Sequence, residues 1–368
     1  MIADDGEHIF RIIGWVDYFG GLIERHPKFW ITLGDLESKF LKDEIAETGI
    51  KQPIYICGLP RSGTTLLLEI LSRHSGVVSH KYSDFPFVYT PHWWNWLLTR
   101  MRTREDRPTE RAHRDGMSVT SESPEAIEEM LWMAFFRDIH DPQKNHVLDK
   151  NTKNSPFETF YRNHLKKLLF SRKGNRYLAK DNYNTSRMEY ILKLFPDSKF
   201  VIPVRHPVDH IASLIKVHKL FTKGCEQNPK AVDHLRRIGH FEFGPDLRLI
   251  NVREDETEQI INLFAQKQSV RAWARYWSMI YGYIADTLKA KQELKNAATV
   301  IRYEDFCESP GEGLKALQDH CRLSGNHANT SELLGEIKPP AHYKTNFSKA
   351  DLSIIEKETQ ETAKQFQY

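Results

Sequence analysis

Apolar residues arrive in two rhythms along the chain. Short runs at Ile54 to Ile56, 176 to 179, Phe200 to Val204 and 298 to 302 have the length and continuity of buried strands. Longer stretches carry helical spacing over 27 to 46 (closed by Gly49), Thr65 to Leu71, 124 to 137, 155 to 170, 186 to 194, 208 to 219, 257 to 295 and 309 to 321. Strands alternating with helices predict an α/β fold, a central parallel sheet flanked by helices, with helical and loop insertions.

Two stretches interrupt the pattern. Residues 222 to 262 are rich in His, Arg, Asp and Glu and are punctuated by Gly and Pro, so they read as an insertion: an active-site lid, a substrate-side element or a solvated connection. Residues 82 to 98 crowd Phe85, Phe87, Tyr89, Trp93, Trp94 and Trp96 into a segment read as lying outside regular structure. Such rings either line an apolar or sugar-stacking acceptor slot or bury a loop against the core.

With 368 residues, 40% of them hydrophobic and 11% aromatic, the chain can bury a substantial core. Its organisation reads as a helical segment over 1 to 50, an α/β domain over 51 to 345 and a helical tail over 346 to 368. The 52 Lys and Arg against 49 Asp and Glu leave a charge of +3, too little for a nucleic-acid binder. Cys57, Cys225, Cys307 and Cys321 are scattered and form no metal-ligand pair, which favours buried thiols in a reducing compartment and no metal site. Glu7, Arg11 and Asp17 interrupt the first apolar stretch, so no secretion signal or membrane span is expected, and the chain is expected to be cytoplasmic. Residues 8 to 24 read as an amphipathic helix that packs on the body or makes peripheral membrane contact.

The chemistry concentrates in PIYICGLPRSGTTLLLEIL, residues 53 to 71: a strand, a Gly-rich turn and a helix start. Such a turn aims backbone N–H groups and a helix N-terminus at one anion. The spacing of Gly58, Gly63 and Thr65 is that of a phosphate loop, giving the sheet a P-loop type. Thr64 stands where a nucleoside-triphosphate loop places its lysine, and Arg61 supplies the cation instead. An arginine fork beside Ser62, Thr64 and Thr65 suits a phosphate joined to a sulfate. A second segment, FPDSKFVIPVRHPVDHIASLIKVH at 195 to 218, places Arg205 at a strand end and Ser213 about two turns into the next helix. Both can converge at the carboxyl edge of a parallel sheet.

The PRSGTT segment resembles the 5′-phosphosulfate loop of sulfotransferases that use 3′-phosphoadenosine 5′-phosphosulfate (PAPS), in particular bacterial members and, more distantly, tyrosine-protein sulfotransferases. The resemblance spans residues 52 to 345 and is sharp at the two segments just described. It implies that Arg61, Ser62, Gly63, Thr64 and Thr65 hold the phosphosulfate and that Arg205 and Ser213 clamp the 3′-phosphate. It also implies that Lys180 in YLAKDNYNTSR and Lys344 in HYKTNFSKAD contribute to the donor site, while ATVIRYEDF resembles a late parallel strand whose Tyr303 and Asp305 are structural.

The expected reaction is sulfuryl transfer from PAPS, leaving 3′,5′-bisphosphorylated adenosine (PAP), to a small-molecule, carbohydrate or lipid hydroxyl, or less readily to an amine. Arg61 and the loop amides would stabilise developing charge. Two residues compete for the base: His80 in VVSHKYSD and Glu129 in SESPEAIEEM, where Ser123 and Pro124 read as a helix start and Glu128 and Glu129 flank its apolar stripe. An ATP-dependent phosphotransferase and a noncatalytic PAP- or PAPS-binding protein remain as alternatives. Trp273 and Trp277 share a helix face and read as core residues.

Overall fold

In a computed structural model, residues 2–3, 10–101, 108–111, 113, 118–323, 334–335, 337 and 347–368 are described. Five parallel strands form the central sheet: β1 (Ile54–Ile56), β2 (Val77–Val78), β3 (Arg176–Lys180), β4 (Lys199–Val204) and β5 (Ala298–Arg302). Their order is β2-β3-β1-β4-β5, so β1 lies centrally, with β3 on one side and β4 on the other. The crevice beyond the carboxyl ends of such diverging strands is where open α/β sheets take ligands.

The uninterrupted apolar runs have a direct physical cause. Successive side chains leave a strand on opposite faces. Ile54, Ile56, Leu178 and Val201 accordingly enter a core with Leu67, Leu68, Phe306 and Leu314. Tyr55, Cys57, Tyr177, Ala179, Phe200 and Ile202 enter the core on the other side. Both faces are covered, which removes any place for polar alternation.

Four helices position the site. Helix α1 (Thr64–Ser72) follows β1, and α2 (Pro207–Gln227) follows β4 with a proline at its start, where the ring's fixed φ suits a first turn. Helix α3 (Ser269–Ala290) buries Trp273 and Trp277, as their shared face predicts. Helix α4 (Lys349–Gln365) begins in a reciprocal cap between Ser348 and Asp351 and packs along α3, with a 2.7 Å contact between the Ser278 and Thr362 hydroxyls.

Several elements differ from the sequence reading. The 27 to 46 stretch is two helices, Pro27–Phe40 and Lys42–Glu47, and 257 to 295 is three: Glu254–Ala265, α3 and Gln292–Ala297. Lys267, in the left-handed region at φ 59°, makes the first break in that run. The 124 to 137 helix is only Glu129–Phe135, because its first residues pair with another segment: Lys81 bridges to Pro124, and the Glu125 N–H donates to the His80 carbonyl at 3.0 Å. Trp93, Trp94 and Trp96 sit in the helix Pro91–Met101, not in an irregular loop. The 222 to 262 stretch contains the end of α2 and the helix Lys230–Arg237, and buries Phe241, Phe243, Leu249, Ile250 and Val252, so it is far more embedded than a solvated connection.

The N-terminal amphipathic helix is Gly14–Arg25. Val16, Gly20, Gly21 and Ile23 are buried, and Arg237 ties it to the body through Asp17 at 2.6 Å and Glu24 at 2.9 Å. All four cysteines are free and buried. No helix among the described residues is long and apolar enough to cross a membrane.

Candidate active site

The turn between β1 and α1 is built from glycines at backbone angles other residues avoid. Gly58 has φ 112° and donates its N–H to Thr185 Oγ1 at 2.8 Å; Gly63 has φ 104° and caps α1. A Cβ on Gly63 would lie 2.6 Å from Tyr303 Cδ2, so Tyr303 lies tight against the turn. Arg61 also occupies the left-handed region, at φ 73°. Ser62 is buried and donates to the Leu59 carbonyl at 2.7 Å. Thr64 and Thr65 open α1, whose first N–H groups have no acceptor within the helix.

Arg205 follows the end of β4, the strand beside β1, and Ser213 lies inside α2. Arg61 Nε donates to Ser213 Oγ at 3.3 Å, and Arg205 Nη1 donates to the Arg61 carbonyl at 3.4 Å. The two separately predicted segments therefore meet at one sheet edge. The Arg205 guanidinium also lies 5.4 Å from the centre of the Tyr303 ring.

Buried residues of α2 and α3 hold this geometry. The His210 ring, on α2, donates from Nε2 to the Pro60 carbonyl at 2.8 Å, while its Nδ1 accepts the Trp277 indole N–H at 3.1 Å. The indole can only donate, so it fixes the tautomer. Burial first, then the charges of Arg205 and Arg61, push His210 down to about 3 and keep it neutral. The Tyr281 hydroxyl donates to the Pro203 carbonyl at 3.1 Å from the same side.

Across β1 from Arg205, Lys180 ends β3. Its charge acts on Glu125, a residue absent from the sequence reading's candidates. Burial raises the Glu125 carboxyl, but Lys180, Arg111 and a hydrogen bond from Tyr82 outweigh it and leave it more acidic than usual. Glu125 Oε1 also accepts the Ala126 N–H at 2.7 Å. Half-buried His113 is pushed well below its ordinary value by desolvation and then by the charges of Arg111, Arg61, His240 and Lys180. Pro124 was the available signal for Glu125: reading it as a helix start drew attention to Glu128 and Glu129, whereas it lies on an extended segment beside His80.

His80 and Glu129 are both inside the fold. His80 Nδ1 bonds Asp84 Oδ2 at 2.8 Å and its Nε2 faces His164 Nε2 at 3.1 Å. Arg172 also grips Asp84; burial raises that carboxyl, but Arg172 and His80 hold it at about 2. Glu129 receives Arg187 in two bonds of 2.6 and 2.7 Å and the His140 ring at 2.5 Å. Against the upward push of burial, Arg187 and then His140 hold Glu129 at about 2. Glu128 is buried too, accepting the Tyr161 hydroxyl at 3.0 Å, so both glutamates lie inside the core rather than at the flank of its apolar stripe. Lys344 lies outside the described residues. No cluster of three His, Cys, Asp or Glu among the described residues has metal-site geometry.

Residues 53–227 match the sulfotransferase family, a span containing the β1 to α1 turn, Arg205 and Ser213. Sulfotransferase STF1 from Mycobacterium tuberculosis H37Rv superposes with a TM-score of 0.51 at 13% identity, covering 92% of this chain and 86% of that one. Sulfotransferase STF9 from Mycobacterium avium gives a TM-score of 0.47 at 13% identity, covering 90% and 81%. No curated protein is similar enough in sequence to match. The matched span and the likeness in chain path show that this chain shares its fold with a solved sulfotransferase.

Proposed function

We propose that the protein transfers the sulfuryl group of PAPS to an acceptor hydroxyl. The observation that carries this reading is the meeting of Arg61, Ser213 and Arg205 at one sheet edge. The 58 to 65 turn with Arg61 suits the phosphosulfate, and Arg205 with Ser213 suits the 3′-phosphate that distinguishes PAPS from ATP. The γ-phosphoryl alternative lacks the loop lysine, its place taken by buried Thr64.

In the proposed step the acceptor oxygen bonds to sulfur as the bond from sulfur to the bridging phosphate oxygen breaks, and PAP departs. Arg61 and the turn's N–H groups offset charge growing on the sulfate and leaving oxygens. Glu125 takes the acceptor proton: its carboxylate is held ionised by Lys180 and Arg111, on the segment bonded to the His80 carbonyl. His80 supports that segment through its backbone carbonyl, and the polar atoms of Glu129 are committed to Arg187 and His140. A small molecule, a carbohydrate or a lipid suits the acceptor role, and the rings of residues 82 to 98 are the first place to seek its specificity.

The test is incubation with ³⁵S-labelled PAPS and a panel of hydroxyl acceptors, paired with titrations of PAP, AMP and ATP. Labelled product and preference for PAP support the reading. Turnover with ATP would favour a phosphotransferase, and PAP binding without transfer to any acceptor would favour a binding protein.

A further inference from the structure

The peptide segment bearing Arg205 is gripped on both sides by residues far away in sequence. Before it, the Val204 carbonyl accepts the Tyr368 hydroxyl at 3.1 Å. After it, the His206 N–H donates to Glu304 Oε1 at 3.0 Å. The second oxygen of Glu304 contacts the Tyr368 hydroxyl, closing a ring of polar contacts around one residue. The hydroxyl has one proton and faces two acceptors, a carbonyl and a carboxylate, so it donates fully to one of them at a time, the charged carboxylate being the stronger acceptor.

The aromatic ring of Tyr368 has its own partners. It meets His206 edge to face at 5.4 Å, and the Arg302 guanidinium lies 4.5 Å from its centre. Phe366, buried and 5.8 Å from Tyr281, anchors the end of α4 beside it. Between Arg302 and Glu304 stands Tyr303, the ring that lies against both Gly63 and the Arg205 guanidinium. One short segment at the end of β5 thus touches the β1 to α1 turn, the Arg205 side chain, the backbone after Arg205 and the end of the C-terminal helix.

We infer that Tyr368 and Glu304 are positioning residues for 3′-phosphate recognition, setting where Arg205 presents its guanidinium. The inference rests on the proposed use of PAP and PAPS. A preset cation binds an anion more tightly because less ordering is required on binding. The effect belongs to the 3′-phosphate alone, so it separates this role from general support of the fold.

The experiment is calorimetric titration of the full chain and its Tyr368→Phe variant with PAP and with AMP. The phenylalanine keeps the ring between His206 and Arg302 and removes only the hydroxyl. The PAP dissociation constant is expected to rise on the order of 5- to 30-fold, with AMP changed less than about twofold. Glu304→Ala should reproduce the selective loss, and the double variant should lose little more than Glu304→Ala alone because the pair works as one unit. Equal weakening of PAP and AMP, or unaltered PAP binding by either single variant, overturns the inference while leaving the proposed function standing. A wild-type chain that binds PAP no better than AMP overturns the proposed function and this inference with it.

Discussion

Arg61 Nε and Ser213 Oγ lie 3.3 Å apart although 152 positions separate them in the chain. This contact ties the β1 to α1 turn to the helix after β4. In the proposed function it would let the two segments act on opposite ends of one nucleotide, which neither could do alone.

Arg205→Ala should weaken PAP about 10- to 100-fold and AMP less than about threefold, the expected loss for a bond to a charged group. Calorimetry with both nucleotides reads the difference. A common loss would remove Arg205 from 3′-phosphate recognition.

Glu125→Gln should lower single-turnover transfer by about 10²- to 10⁴-fold while PAP affinity changes less than about threefold. The substitution keeps the shape beside Lys180 and Arg111 and removes the proton acceptor. Undiminished transfer would place the base elsewhere.

Buried ion pairs cost most when one partner is removed. Arg187→Met leaves Glu129 without its two-pronged partner and should cost about 3–5 kcal/mol in urea unfolding. Pairing it with Glu129→Leu should recover part of that loss, since no charge then remains buried unpaired. A single variant as stable as wild type would contradict the geometry at this site.

Stability should fall as pH drops below about 6.5, the ordinary histidine value. His146 is held at about 4, mainly by burial, with its Nδ1 accepting the Asn251 N–H at 3.1 Å, and His210 is held at about 3. The unfolded chain binds these protons first. The stability present above pH 6.5 is therefore lost toward the folded values, at up to about 1.4 kcal/mol per pH unit for each group. Below about pH 4 the same sign applies to Asp84 and Glu129, each held at about 2. Urea midpoints from pH 8 to 4 should show the slope, and His146→Gln should reduce it between pH 6.5 and 4; an unchanged slope would exclude His146 as a contributor.

Gly63→Ala should destabilise the chain by about 1–3 kcal/mol, because an L side chain at φ 104° is strained and its Cβ meets Tyr303. Tyr303→Ala in the same chain should relieve the steric part and leave the backbone part. Equal thermal midpoints for wild type and Gly63→Ala would contradict that crowding.

The sequence by itself determined what is local. Continuous apolar runs marked β1, β3 and β4, since a strand covered on both faces admits no polar alternation, and a further run marked β5 at the sheet's edge, where Val300 is exposed. The glycines at 58 and 63 marked the tight turn between β1 and α1, and the helical spacing from 208 marked α2. Tertiary structure decided the rest, because burial and pairing belong to neighbours the local pattern does not name. It put His80 and Glu129 inside closed polar networks, set Glu125 among cations from distant segments, and turned Trp277 from simple filling into the group that fixes His210. It also brought Tyr368 back to Arg205, a contact without any periodicity to announce it: hydrogen bonds between remote segments depend on where the chain returns, and that is settled only when both cores close over the sheet.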